Sequence, residues 1–188
     1  MTWLYLLKER YEVSGVIKLF HYEIKTQFST SICVLRTDNA LKYMKNDVSL
    51  FCSKNGIIHQ TSCSHTSQQN GVAERKHRQI LNVGRTMMIH MHVPKYLWDD
   101  AVLSACHLIN RMSSVFYGKI LFSCLYPGKS IFSAPPRVFG CTYFVQDLSP
   151  VLDKLSPRSI KCVFIRYSQT QKGYRCYSPS IRKYFYDS

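Results

Sequence analysis

Two carboxylates in the sequence are placed where they could do chemistry. Asp38 comes just after a short apolar run, in the stretch VLRTDNA. Glu74 lies further along the chain in NGVAERKHR, with thirty-five residues between the two acids. Two carboxylates that folding brings together are the minimum for holding a divalent cation beside a phosphate, because hard cations take oxygen ligands. The alternative is a turn-forming aspartate and a solvated helix acid, which is the more common situation for acidic residues.

A short strand and a long helix must position these acids. The run Ile32–Leu35 predicts a buried strand, and an acid just past the carboxyl end of a strand lies where open α/β sheets bind ligands. Apolar spacing over Val72–Met91 predicts the helix that carries Glu74. The first turns of this helix also carry Arg75–Arg78, which is unfavourable for the helix dipole unless a polyanion is nearby. Together these features indicate a phosphate-bearing partner.

The remaining periodicity predicts a mixed α/β chain that changes to all-β near its end. Two further strands are predicted at Thr2–Leu7 and Ile57–Gln60, and a polar loop at Ser62–Asn70. Helical spacing predicts three more helices, at Glu12–Phe28, Tyr43–Asn55 and Tyr96–Met112. Residues 113–136 read as a linker, and a small basic β-barrel of four or five strands follows, including Val138–Val145, Lys161–Tyr167, Tyr174–Tyr177 and Lys183–Tyr186.

The charge of the chain favours a polyanionic partner. The 188 residues include 25 Lys and Arg against 11 Asp and Glu, which gives a net charge of +14. Nucleic acid is favoured over an anionic membrane, because no polybasic amphipathic helix or lipidation motif is present. Any basic domain would show a similar total, so the charge alone says little about function. The sequence offers no motif for a small-molecule substrate.

Eight cysteines raise the questions of disulfides and of zinc. Several lie inside apolar runs such as SICVL and KCVFI, where a thiol acts as a small core residue, so we expect reduced cysteines and an intracellular protein. Cys52, His59, Cys63 and His65 have a spacing that does not match the usual paired zinc ligands. A zinc site is therefore not predicted.

Several stretches together resemble one protein family. LRTDNALKY and GIIHQTSCSHTSQQNGVAERKHR, followed by PKYLWDDAVLSACHLINRM and PPRVFGCTYFVQ, are similar to the integrase region of copia-type LTR retrotransposon Pol polyproteins. The resemblance implies an α/β fold with a partial RNase H-like integrase core, linking helices and a small all-β SH3-like barrel. It divides the chain into a core lacking its first two strands at 1–95, a helical linker at 96–135, and a barrel cut short at its carboxyl end at 136–188.

The resemblance also implies chemistry. The family integrates DNA by metal-dependent polynucleotidyl transfer, using two aspartates and a glutamate to hold Mg²⁺ or Mn²⁺. Asp38 and Glu74 match the second aspartate and the glutamate, so the resemblance assigns catalytic and metal-binding roles to them. DNA contacts are assigned to Gln69, Asn70, Arg75, Lys76 and Arg78. Expected partners are DNA, as element ends and target, and further copies of the chain; the expected location is the nucleus.

Departures from the family pattern limit these expectations. The first aspartate of the family has no counterpart in the 188 residues, so we expect weak metal binding and no activity from this chain alone. Arg166 also stands where the family has a glycine in the barrel. One alternative is a non-catalytic nucleic-acid-binding or assembly remnant. A third reading is a polypeptide that does not fold stably because two core strands are missing.

Overall fold

The computed structural model describes residues 1–37, 45–62, 71–112, 118–147, 157–168 and 171–187. These residues form α-helices, a two-stranded sheet and a four-stranded sheet. They pack as two compact units. One comprises Tyr5–Lys76, and the other comprises Met1–Leu4 together with His77–Ser188.

The Tyr5–Lys76 unit is an α/β arrangement built on a parallel strand pair. It contains α1 (Val13–Phe28), β1 (Val34–Thr37), α2 (Lys45–Lys54), β2 (Ile58–Thr61) and the start of α3 (Gly71–His90). Val34 of β1 lies opposite Ile58 of β2. The helices cover the strands through a small apolar core of Val48, Phe51, Cys52 and Ile57, against which Ile17, Ile32 and Leu35 pack. The helices and strands predicted between Glu12 and Lys76 are confirmed, with ends shifted by one or two residues. The strand predicted at Ile32–Leu35 is not buried as expected, because β1 alternates exposed and half-buried residues.

Parallel pairing sets which residues meet at the edge of this sheet. The carboxyl ends of β1 and β2 lie at the same edge, and the Ser62 amide donates a hydrogen bond of 3.1 Å to the Thr37 carbonyl. Thr37 is the last residue of β1 and precedes Asp38 in the sequence. The predicted strand therefore ends where the sequence analysis requires an acid to follow it.

The predicted strand Thr2–Leu7 is wrong, because no β-strand forms over these residues. The backbone of Thr2 is instead bonded by a side chain. The Asn110 carboxamide accepts a hydrogen bond from the Thr2 amide at 2.9 Å and donates one to the Thr2 carbonyl at 2.7 Å. An amide side chain can supply both a donor and an acceptor, so this extended apolar segment needs no strand neighbour at that point.

The second unit combines helices with an antiparallel sheet. After α3 come α4 (Trp98–Arg111) and the short α5 (Leu121–Leu125), which the sequence analysis placed within a linker. The sheet has the order β3-β4-β5-β6, with its strands at Thr142–Gln146, Ser159–Tyr167, Tyr174–Ser178 and Lys183–Asp187. The Tyr143 hydroxyl of β3 donates a hydrogen bond of 2.7 Å to the Asp187 carboxylate of β6. The first and last strands therefore approach each other, as they do when a sheet curls toward a barrel.

The sheet of this unit shares a core with α4. Ile165 and Tyr177 on one sheet face pack with Leu97 and Ala101 at the start of α4. The opposite face carries a second core that includes Cys162, Phe164, Tyr167, Tyr174 and Cys176. The predicted division at residues 95 and 135 stays a prediction, and the packing itself joins α4 and the sheet in one unit.

Candidate nucleic-acid interface and metal-binding residues

Four of the predicted site residues lie on the first two turns of α3. Glu74, Arg75 and Arg78 are exposed and Lys76 is half-buried, so three charged groups of the set are open to a partner. Asp38, Gln69 and Asn70 lie outside the residues that the structure describes. The pairing of Asp38 with Glu74, and the roles of Gln69 and Asn70, therefore stay predictions.

Arginine side chains follow one face of α3. Positions 75, 78 and 85 differ by three and seven residues, so they recur on the same face of a helix with 3.6 residues per turn. All three arginines are exposed, and none of them forms a salt bridge within the described part of the chain. At a rise of 1.5 Å per residue the three span about 15 Å along the helix, enough to meet several phosphates of a nucleic acid.

The donor set predicted for a metal is incomplete among the described residues. No group of three or more His, Cys, Asp or Glu side chains that could hold a metal ion occurs within the described ranges, which do not include Asp38. Glu74 offers an exposed carboxylate, and carboxylate oxygens are the ligands that Mg²⁺ and Mn²⁺ prefer. The residue types therefore fit such an ion, and its binding stays a prediction.

A histidine side chain bridges two hydroxyl groups at the end of β1. The sequence analysis did not predict this bridge. The His59 ring is held between two hydroxyls, with Nε2 3.0 Å from Thr37 Oγ1 and Nδ1 3.0 Å from Ser49 Oγ. This bridge ties β1, β2 and α2 together one residue before Asp38. Both ring nitrogens are engaged by these hydroxyls, and the absence of a zinc site stays a prediction. The sequence signal was a histidine directly after the apolar pair Ile57–Ile58.

A buried ion cluster in the other unit was also missed. The Asp100 side chain is fully buried, and its Oδ1 lies 2.7 Å from Arg166 Nε and 3.1 Å from Arg175 Nη1. Burial raises the pKa of Asp100, while the charges of Arg175 and Arg166 oppose that rise. The cluster joins α4 to β4 and β5, and so holds the sheet on the helix.

A β-bulge explains how Arg166 reaches this cluster. Phe164 pairs with Cys176 and Arg166 pairs with Arg175, which leaves Ile165 as an extra residue on β4. A bulge of this kind re-aims the side chains that follow it. Ile165 and Arg166 consequently both reach the α4 side of the sheet. Arg166, which stands where the resembling family has a glycine, is thus paired with the buried carboxylate of Asp100.

Comparison with known proteins adds a family match over the sheet. Residues 141–187 match the family model described as the retroviral polymerase SH3-like domain. This range contains all four strands of the antiparallel sheet. The expectation of an SH3-like all-β segment is confirmed at that level, whereas the RNase H-like core stays a prediction.

Curated proteins are similar over nearly the whole chain. The retrovirus-related Pol polyprotein from transposon TNT 1-94 of Nicotiana tabacum is 34% identical over 96% of this chain and 14% of that protein. The corresponding polyprotein from transposon RE2 of Arabidopsis thaliana is 35% identical over 97% of this chain and 12% of that protein. The chain thus spans only a small part of the relatives that it matches.

One solved structure overlaps much of the chain. It is the simian T-cell lymphotropic virus intasome in complex with the PP2A regulatory subunit B56 gamma, with 17% identity, 92% of this chain and 60% of that chain covered, and a TM-score of 0.47. That score is too low to assign a shared fold.

Proposed function

This chain is related to the retrotransposon Pol polyproteins and corresponds to a segment of them, and from that premise we propose that it is an integrase-region segment that binds DNA. The proposal rests on the exposed arginines of α3, which form no salt bridge with any residue that the structure describes. Phosphate contacts by Arg and Lys supply most sequence-independent affinity for DNA, because each contact releases condensed counterions. The net charge of +14 adds a field that attracts the polyanion.

The proposed contact uses the amino-terminal half of α3. Arg75 and Arg78 reach phosphates directly, and Lys76 and the loop residues Gln69 and Asn70 are assigned to the same contact by the family resemblance. At the amino terminus of α3, the backbone N–H groups of the first turn and the helix dipole favour an anion. The DNA backbone would lie along the face that Arg75, Arg78 and Arg85 share.

We further propose that Asp38 and Glu74 are the two carboxylates of this chain that would hold Mg²⁺ or Mn²⁺. When bound, such ions activate an attacking hydroxyl and stabilise the leaving oxygen in phosphoryl transfer. The His59 bridge to Thr37 and Ser49 keeps the end of β1 in place, and Asp38 is the next residue in the sequence. Two carboxylates without a third are expected to bind the ion weakly, so the chain alone is proposed to be inactive.

Charge reversal on α3 tests the binding proposal. Arg75→Glu and Arg78→Glu, made together, should weaken binding to a blunt 30-base-pair duplex by at least about tenfold, because attractive phosphate contacts become repulsive. Lys18→Glu with Lys25→Glu, at two exposed positions of α1, changes the net charge by the same amount and serves as the matched control. An equal loss in the control would assign the effect to total charge and overturn the proposed face.

A strand-transfer assay tests the proposal about the acids. With Mg²⁺ or Mn²⁺ and oligonucleotide ends, the 188-residue chain should give no product. Asp38→Asn and Glu74→Gln should leave duplex binding intact or slightly stronger, because each removes a negative charge. Strand transfer by the unchanged chain that is lost in both variants would refute the proposed inactivity. Loss of duplex binding in both variants would favour a structural role for the acids.

A further inference from the structure

Two tyrosines on the last strand face solvent together. Tyr184 and Tyr186 alternate along β6 and so lie on the same side of the sheet, with exposed fractions of 40% and 49%. Phe185 between them points to the opposite side and packs on the apolar core there. β6 lies at the edge of the sheet among the described strands. An edge strand with two exposed aromatic rings needs an explanation beyond core packing.

The buried ring of Tyr177 links the exposed ring of Tyr184 to that of Tyr96. Tyr184 packs on Tyr177 with ring centres 5.1 Å apart, and Tyr177 packs edge-on to Tyr96 at 5.9 Å. The Tyr96 hydroxyl donates a hydrogen bond of 3.1 Å to that of Tyr177. Tyr96 precedes α4 and is 60% exposed. We call Tyr96, Tyr177, Tyr184 and Tyr186 the tyrosine cluster.

Positive charge surrounds the tyrosine cluster. The Arg175 guanidinium lies 4.1 Å from the centre of the Tyr184 ring and 5.9 Å from that of Tyr186, which fixes the position of both rings. Arg182, immediately before β6, is exposed. The acids nearest to Tyr184 are Asp100, which Arg166 and Arg175 offset, and the half-buried Asp99. The exposed charge beside the rings is therefore basic.

We propose that the exposed rings of the tyrosine cluster bind unpaired bases of single-stranded nucleic acid by stacking, while Arg182 contacts the adjoining phosphates. Exposed aromatic rings interleaved with basic side chains are the arrangement that non-specific single-strand binders use, since every base has a stacking face. A purely apolar protein partner suits this surface poorly, because hydroxyls and cations stand between the rings. The site differs from the α3 face, which acts on phosphates of a duplex.

Base-free DNA tests stacking in the unchanged protein. Anisotropy titrations compare a labelled oligo-dT 12-mer with an abasic 12-mer, which has the same number of phosphates. We expect the abasic strand to bind about tenfold more weakly, which is within the range for loss of base stacking. Equal affinity for the two strands would overturn the proposal, because phosphates alone would then account for binding.

Substitutions place the effect on the cluster. Tyr186→Leu, which removes an exposed ring, should weaken oligo-dT binding by about fivefold or more. Tyr186→Phe, which keeps the ring, should bind oligo-dT as tightly as the unchanged protein. Tyr11→Leu, at an exposed tyrosine of the Tyr5–Lys76 unit, should leave affinity unchanged. Equal weakening by Tyr186→Leu and Tyr11→Leu, or no effect of either, would contradict the assignment.

The α3 variants separate this inference from the proposed function. Arg75→Glu with Arg78→Glu should impair duplex binding and preserve the oligo-dT preference over the abasic strand. If the preference for oligo-dT over the abasic strand is missing while duplex binding still depends on Arg75 and Arg78, the stacking site is refuted and the duplex face stands.

Discussion

Asp100 shows how one buried residue can decide whether the sheet stays on the helix. Taking a carboxylate out of water is costly, and here two guanidinium groups within 3.1 Å offset that cost. Asp100 Oδ2 makes no hydrogen bond within the described residues, so the two ion pairs carry the compensation. Removing the carboxylate would leave Arg166 and Arg175 facing each other in a nearly dry place.

The first prediction follows from this cluster. Asp100→Asn should lower the free energy of unfolding by about 3 kcal/mol, because two half-buried cations lose their shared, fully buried counter-charge. Asp99→Asn, one position earlier and without a salt bridge among the described residues, should change it by less than about 1 kcal/mol. Urea unfolding followed by circular dichroism measures both. Similar losses in the two variants would mean that the cluster adds nothing specific.

His107 gives the protein a stability that depends on pH. Its ring stacks on Tyr167, with centres 4.3 Å apart, and burial together with the charge of Arg111 lowers the pKa of His107 to about 3. An unfolded histidine titrates near pH 6.5, so between these values the unfolded chain binds the proton and the folded chain does not. Folded stability should therefore fall as the pH drops from about 6.5 toward 3.

The second prediction tests this dependence. His107→Phe keeps an aromatic ring against Tyr167 but removes the titration, so its loss of stability between pH 6.5 and pH 4 should be shallower than that of the unchanged protein. Thermal melts at half-unit pH steps measure the slope. Parallel slopes in the two proteins would show that His107 is protonated in the folded state.

At the scale of the elements, the turn into the sheet is set by a glycine. Gly140 has φ +80°, and a Cβ added there would lie 2.6 Å from Met91 Cβ and 3.0 Å from Val93 Cγ2. The backbone of Gly140 therefore packs directly on the connection between α3 and α4. This is also why β3 begins at Thr142 rather than at Val138 as predicted, since a left-handed residue interrupts the extended run.

The third prediction compares two glycines. Gly140→Ala should destabilise the protein by roughly 2–4 kcal/mol, because left-handed backbone strain and a steric clash add together. Gly118→Ala, at φ +59° with nothing within 4 Å of the new Cβ, should cost only the backbone part, about 1 kcal/mol. The difference between the two variants isolates the clash. Equal losses would indicate that Met91 and Val93 move aside freely.

The elements also show what sequence patterns can and cannot predict. Period-two and helical spacing located the strands from Val34 onward and the four longer helices, whereas the short α5 was missed within the predicted linker. Thr2–Leu7 was wrongly predicted as a strand, because an apolar run does not indicate what the segment's backbone bonds to. Here the Thr2 backbone is bonded by the side chain of Asn110. The bulge at Ile165 and the Asp100 cluster depend on contacts between distant segments, which no local pattern encodes.

At the scale of the whole molecule, the described residues form two compact units with apolar cores of their own. That packing argues against the reading in which the chain does not fold. No helix in the described ranges is long and apolar enough to cross a membrane. The chain corresponds to a segment of the retrotransposon Pol polyproteins, and we propose that the arginine face of α3, rather than the metal site, carries its function.

The central claim is that the arginine face of α3 contacts DNA phosphates, and the salt dependence of duplex binding tests it most directly. Log affinity falls as log salt concentration rises, and the steepness of this slope decreases by about 0.9 for each phosphate contact removed. Arg75→Gln with Arg78→Gln should therefore reduce the slope by about 2, whereas Lys18→Gln should leave it unchanged. An unchanged slope in the double variant would contradict the account, because the two arginines would then touch no phosphate.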